Sequence, residues 1–149
     1  MDNNSITLKT GNDIPLIQLV DLYNSVGWLA YTTDEQRPRL QQAIQNSTYV
    51  VTAWNGETLA GLARCLSDDV SICYLQDILI HPEYQRRGIG RKLLVNCLER
   101  FAHVRVKVLL TDDEERQKIF YESLGYKNTK DLKKIPLNAY VQIAGRELE

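Results

Sequence analysis

The sequence predicts an α+β fold in which one mixed, mostly antiparallel sheet carries helices. Three observations lead there. Residues 48–80 read as three consecutive strands joined by turns. A helix and a further apolar strand follow at once, which makes a strand–helix–strand unit with parallel strands and a right-handed crossover. Helical periodicity dominates both before and after this block.

Residues 5–9 alternate and suit a short first strand. Asp13 is the expected N-cap of a helix ending near Ser25, with Leu16, Leu19, Val20 and Tyr23 at helical spacing and Gly27 as breaker. The next segment, Trp28-Leu29-Ala30-Tyr31-Thr32-Thr33, is aromatic and has no period. Asp34 is the expected cap of a second helix reaching about Asn46. Residues 48–54 are β-branched and aromatic, and Asn55-Gly56 marks a type I′ hairpin. Residues 58–66 return, Ser67-Asp68-Asp69 turns the chain again, and residues 71–80 form the fourth strand, ended by His81-Pro82. Residues 88–102 make a helix that buries Leu93, Leu94, Cys97, Leu98 and Phe101. Residues 104–110 are apolar enough for a sheet centre. Asp112 or Asp113 should cap a last helix, which Gly125 closes as a C′ glycine. Residues 127–143 offer at most two more strands.

The 149 residues suit a single domain, 1–149. The formal net charge is -1, which disfavours a nucleic-acid-coating role. No apolar run is long enough to span a membrane, and the N-terminus lacks the regions of a signal peptide. A cytoplasmic protein with no membrane partner is expected. Cys65, Cys73 and Cys97 form no CxxC pair and read as small buried apolar side chains, so no metal site is expected.

The chemistry concentrates where the fourth strand runs into a glycine-containing turn and a helix: Ile78-Leu79-Ile80-His81-Pro82-Glu83-Tyr84-Gln85-Arg86-Arg87-Gly88-Ile89-Gly90-Arg91-Lys92. Successive N–H groups at a helix start bind anions. Glycines let a diphosphate approach the backbone closely. Arg86, Arg87, Arg91 and Lys92 add cationic side chains suited to phosphate. A Rossmann site would need GxGxxG, but Leu93 stands at the sixth position. A P-loop would need GK[ST], which is absent. The same glycines could serve only a turn, as in a purely structural interaction domain.

Gln85-Arg86-Arg87-Gly88-Ile89-Gly90 resembles the [Q/R]-x-x-G-x-[G/A] loop of the GNAT acetyltransferases. Downstream, Phe120-Tyr121-Glu122-Ser123-Leu124-Gly125-Tyr126 is similar to that family's FYxxxGF segment, with Tyr126 in place of the usual Phe. Order and spacing match over residues 48–126, and the first 47 residues match loosely.

The resemblance implies a GNAT-like fold with about four helices and a central, splayed parallel strand pair. It implies acetyl-CoA as co-substrate, held by the backbone of Ile78, Leu79 and Ile80 and by Gln85, Arg86, Arg87, Gly88, Ile89, Gly90 and Arg91. It also implies direct transfer to a primary amine of a small molecule or peptide. Tyr121 matches the tyrosine that lies near the CoA sulfur in many members and is the expected acid. Asp77, a carboxylate among apolar neighbours, is the candidate base or water-positioning group; on ideal alternation it shares a face with Leu75 and Leu79. His81 reads as a loop residue. Trp28 and Tyr31, between the first two helices, are the candidate acceptor-binding residues, with core packing as the competing reading. A homodimer is the family-level expectation. The alternative function is a CoA-binding regulator without turnover.

Overall fold

The computed structural model describes residues 5–149. The chain forms two compact units, one running to Leu110 and the other, Thr111–Glu149. In the first unit the elements are β1 (Ile6–Thr10), α1 (Leu16–Ser25), α2 (Arg37–Gln45), β2 (Tyr49–Asn55), β3 (Thr58–Ser67), β4 (Ile72–Ile80), α3 (Ile89–Arg100) and β5 (Val106–Leu109). The sheet order is β1-β2-β3-β4-β5. All neighbours are antiparallel except β4 and β5.

The first two predicted aspartate caps fail, and proline is the reason. α1 begins after Pro15. A residue before proline avoids the α region, so Ile14 cannot continue a helix capped at Asp13. In α2, Pro38 lies in the first turn and Gln36 is the N-cap. A helix capped at Asp34 would put Pro38 where an N–H must bond back to the cap carbonyl, and proline has none. Asp34 instead pairs with Arg37 at 3.4 Å. The hairpin also lies one residue later than predicted. Asn55 pairs with Thr58, so Gly56 and Glu57 are its central residues. Only Gly56 has positive φ (60°), the pattern of a II′ turn rather than I′.

α1 and α2 cover one face of the sheet. Leu19, Val20, Leu22, Tyr23, Leu40 and Ile44 pack there with Val50, Trp54, Leu59, Leu62 and Leu79. α3 packs on β2, β3 and β4 from the other side. It presents Ile89, Leu93, Leu94 and Cys97, all buried, while Leu98 is only half-buried. Cys65 and Cys73 lie on this side, and the Cys65 thiol hydrogen-bonds those of Cys73 and Cys97. The bond to Cys73 pulls the Cys65 pKa down, but Cys97 and burial push it up to about 12. These thiols behave as small apolar fillers. β5 is the last strand on its side among the described residues. Its Val106 and Val108 are exposed, which fits an edge rather than the sheet centre expected for this segment.

The second unit holds α4 (Glu115–Ser123), which starts at Glu114 rather than at Asp112 or Asp113. Gly125 ends it as predicted. Its φ is 93°, its N–H bonds to Glu122 O, and the N–H of Tyr126 reaches Tyr121 O at 3.1 Å, which is a Schellman motif. Residues 127–143 contain one 3₁₀ turn, Thr129–Asp131, and no strand, and Ile135, Leu137, Val141 and Ile143 are exposed.

Candidate active site

The site grows from the end of β4. Its parallel pairing with β5 runs from Ile72↔Val106 to Leu75↔Leu109 and stops there, because β5 ends. β4 continues to Ile80, held on its other side by β3 as far as Gly61↔Ile80. Residues 76–80 therefore form a strand edge that β5 does not cover. An extended ligand can add to such an edge.

A β-bulge sits where the two strands part. Arg64 pairs with Asp77 and the next residue, Cys65, pairs with Leu75, so Gln76 is the extra residue. This inverts the facing of everything after it. Leu75 lies opposite Cys65 on the α3 side, while Asp77 lies opposite Arg64 on the α1/α2 side. The expectation that Asp77 shares a face with Leu75 is thereby corrected, and Leu79 is its face-mate.

Asp77 is engaged by other side chains. Its Oδ2 accepts a 2.7 Å hydrogen bond from Tyr23 Oη and another of 2.7 Å from Arg64 Nε. Arg64 and Asp77 are both nearly buried. Arg64 Nη1 also donates to Ser47 Oγ at 3.3 Å, just past the end of α2. Burial pushes the Tyr23 pKa far above the ordinary tyrosine value, and the Asp77 charge pushes it further. Burial opposes the charge on Arg64, but Asp77 outweighs it and raises that pKa.

Beyond Ile80 the chain makes a tight turn. His81 Nδ1 accepts from Glu83 N at 3.1 Å, capping a 3₁₀ turn, Pro82–Tyr84. Tyr84 is buried, and its hydroxyl accepts from Asn55 Nδ2 at 3.0 Å, which ties the turn to the β2–β3 hairpin. The Gln85 side chain donates to Ile80 O at 3.0 Å and so closes the end of β4. Arg86 adopts φ 63°, a left-handed conformation that few non-glycine residues take. Arg87 lies 5.5 Å over the Tyr84 ring. Gly88 is the N-cap of α3 with φ 78°, and the first helical bond is Lys92 N to Gly88 O at 3.1 Å. The N–H groups of Ile89 and Gly90 lie ahead of that bond, at the positive end of the helix dipole.

Trp28 sits beside this assembly. Its N–H bonds to Tyr23 O at 3.0 Å, and its ring meets Tyr23 edge-on at 6.0 Å. It is 43% exposed and Tyr31 48%, so neither is a core plug. The structure thus joins Asp77, the open end of β4, the glycine loop and Trp28 in one unit. Tyr121 belongs to the second unit. It is buried, with its ring edge-on to Phe120 and to Tyr126. Burial raises its pKa, against a lowering hydrogen bond from Thr111. Sequence reasoning missed Tyr23, Arg64, Ser47 and Tyr84. Only Tyr84, inside the loop segment, stood near a recognised signal.

A parallel strand pair that parts before a glycine-capped helix start defines the architecture, and comparison with known proteins says which class of transferase it belongs to. The chain belongs to the GNAT acetyltransferases, matching the acetyltransferase (GNAT) domain over residues 20–134. It is 31% identical over 119 residues to an uncharacterized N-acetyltransferase, ycf52-like, of Prochlorococcus marinus; the match covers 76% of this chain and 63% of that protein. Among solved structures, a GNAT-family acetyltransferase from Streptococcus pneumoniae TIGR4 superposes with a TM-score of 0.77 at 31% identity, over 95% of this chain and 99% of that one. An aminoglycoside N-acetyltransferase solved with CoA has the same fold, with a TM-score of 0.67 at 14% identity over 95% of each chain. No helix among the described residues is long and apolar enough to cross a membrane.

Proposed function

We propose that this chain transfers the acetyl group of acetyl-CoA to a primary amine by direct attack in a ternary complex. The observation that carries the reading is the β4 end: a strand edge that β5 does not cover, running into the αL-capped start of α3. The pantetheine arm would add to the edge at Ile78, Leu79 and Ile80. The pyrophosphate would lie on the N–H groups of the loop Gln85-Arg86-Arg87-Gly88-Ile89-Gly90, with Arg91 and the arginines around it.

The chemistry follows from the groups present. A primary amine is protonated below a pKa of about 10, so a proton leaves before attack. The neutral nitrogen forms a bond to the thioester carbon, and a backbone N–H of the parted β4 stabilises the oxyanion. The C–S bond then breaks, and the thiolate takes a proton from Tyr121. Burial suits Tyr121 to this role by keeping its hydroxyl protonated. Asp77 acts by orienting a water that carries off the amine proton. Its Oδ2 is taken by Tyr23 and Arg64, so Oδ1 is the atom for that water. Trp28 and Tyr31 form the acceptor wall, and the amine belongs to a small molecule or a peptide.

The test is direct. The full chain is titrated with acetyl-CoA by calorimetry. It is then incubated with acetyl-CoA and 2-phenylethylamine, spermidine, kanamycin or a lysine-containing peptide while thiol release is followed. Binding together with amine-dependent thiol release is expected. Tight binding without release for any amine would leave a CoA-binding regulator. Absence of binding would overturn the loop assignment as well.

A further inference from the structure

We propose that Tyr23 is a positioning residue of the transfer reaction: its hydroxyl fixes Asp77 where β4 parts from β5, and its ring ties that point to the Trp28 connection. This rests on the reading of the chain as an acetyl-CoA:amine transferase.

Three segments of chain meet at one carboxylate oxygen, and a fourth holds one of the donors. Tyr23 comes from α1, Arg64 from β3 and Asp77 from β4, and Ser47 holds Arg64 from just beyond α2. Ser47 is itself fixed by a 2.8 Å bond from its Oγ to Ala43 O. The convergence falls one residue past the bulge at Gln76. There β4 has lost its pairing with β5. A buried pair of opposite charges is weak evidence of stabilisation, because desolvation offsets much of the attraction. The Arg64–Asp77 pair is complete without a third partner. Tyr23 adds a second donor to the same Oδ2, which fixes the rotation of the carboxyl group and hence the direction of Oδ1.

Tyr23 also faces the acceptor side. Its carbonyl accepts from Trp28 N, and its ring is met edge-on by the Trp28 indole. Trp28 and Asp77 are thus separated by one side chain. Motion of the connection that holds Trp28 has a short mechanical route to the start of the uncovered edge. The hydroxyl keeps its proton throughout the working range, since burial and the Asp77 charge both oppose ionisation. Tyr23 is therefore a constant donor and takes no proton from the amine.

The experiment compares the full chain with Tyr23→Phe, Asp77→Asn and the double variant, using the fastest amine of the panel above. Tyr23→Phe keeps the ring and its contact with Trp28 and loses only the hydroxyl. Its kcat per acetyl-CoA-binding molecule should fall roughly tenfold or more, as small misplacements at a reacting centre do. KM for acetyl-CoA should stay within about twofold, because the cofactor's own contacts are untouched. Since Tyr23 acts through Asp77, removing both should cost little more than Asp77→Asn alone.

A Tyr23→Phe kcat equal to the parent's overturns the proposal, as does an effect confined to KM or to Tm. Effects that multiply in the double variant overturn it too. If Asp77→Asn does not fold, the kcat of Tyr23→Phe still decides. A parent that binds acetyl-CoA and turns over, beside an unimpaired Tyr23→Phe, removes only this inference. A parent that does neither removes the underlying reading, and the inference falls with it.

Discussion

Gly61→Ala probes the end of β4 from behind. Gly61 pairs with Ile80, the last residue of the strand. A Cβ there would stand 2.8 Å from Ile80 Cδ1, 3.2 Å from Leu79 O and 3.3 Å from Leu93 Cδ1. The isoleucine methyl can swing aside. The Leu79 carbonyl is backbone and must move by a few tenths of an ångström, against α3 through Leu93. Overpacking of this kind costs about 1–3 kcal/mol. Removing the freedom of glycine in the unfolded chain offsets about 0.4–1 kcal/mol of that. A net loss of about 1–2 kcal/mol should lower Tm by about 3–6 °C for a chain of this size. The displaced residues, Leu79 and Ile80, belong to the edge assigned to pantetheine, so acetyl-CoA affinity should fall several-fold as well. Thermal melts and calorimetric titration of the purified variant read the two effects. A lower Tm with parental affinity would mean that this edge does not hold the cofactor. An unchanged Tm would mean that α3 and β4 are not packed as tightly as the geometry states.

Four further outcomes are expected. Gly88→Asp should weaken acetyl-CoA binding by about tenfold or more, since it strains a φ of 78° and adds an anion beside the diphosphate; Gly88→Asn, which tolerates that φ without the charge, should lose less, and equal losses in the two titrations would exclude the electrostatic part. Tyr121→Phe should reduce turnover by roughly 10²-fold with cofactor affinity unchanged, and parental turnover would return Tyr121 to a packing role. Trp28→Ala and Tyr31→Ala should raise the acceptor KM with little loss of Tm, because both side chains are nearly half exposed; a core-sized loss of about 3–5 kcal/mol with parental kinetics would take them out of the acceptor site. The last outcome concerns alkaline stability. Folded Tyr23 holds its proton above the ordinary value of 10.0 while the unfolded chain releases it there, so its contribution is intact below that pH and drains away as pH rises toward the folded value. Tm should therefore fall less steeply for Tyr23→Phe than for the parent between about pH 9 and about pH 11, and identical slopes would contradict the burial of that hydroxyl.

The meander and the helix behind it were legible because their signals are local: β-branched and aromatic residues in β2, a glycine at the hairpin, apolar residues at helical spacing in α3. The loop was legible because glycines and arginines follow a strand directly. The starts of α1 and α2 were misread because each depends on a proline a few residues downstream, and proline outranks a favourable cap. The bulge at Gln76 has no composition of its own, since it exists only relative to β3, and the facing of Asp77 was lost with it. The Tyr23–Asp77 bond joins residues 54 positions apart. In the sequence Tyr23 is one more apolar position of an amphipathic helix, and nothing there separates a packed ring from an anchored hydroxyl.

The extra residue in β4 gives that strand two phases, like a thread with a half-turn cut into it. Before Gln76, odd-numbered side chains look toward α3; after it, odd-numbered ones look toward α1 and α2. Gln76 itself is exposed. Its identity is accordingly free to drift, so long as it stays out of the ladder. Ironing out the bulge with Gln76 kept in the ladder would bring Asp77 into the phase of Cys73 and Leu75, pointing a carboxylate into the thiol-lined side of the sheet and turning Ile78 and Ile80 toward Tyr23, whereas deleting Gln76 would leave Asp77 next to Leu75 on the opposite face, still across from Arg64. Among the homologous chains of this lineage, replacement at this position should be widely tolerated, and a chain without it should keep its carboxylate opposite the arginine by regular alternation.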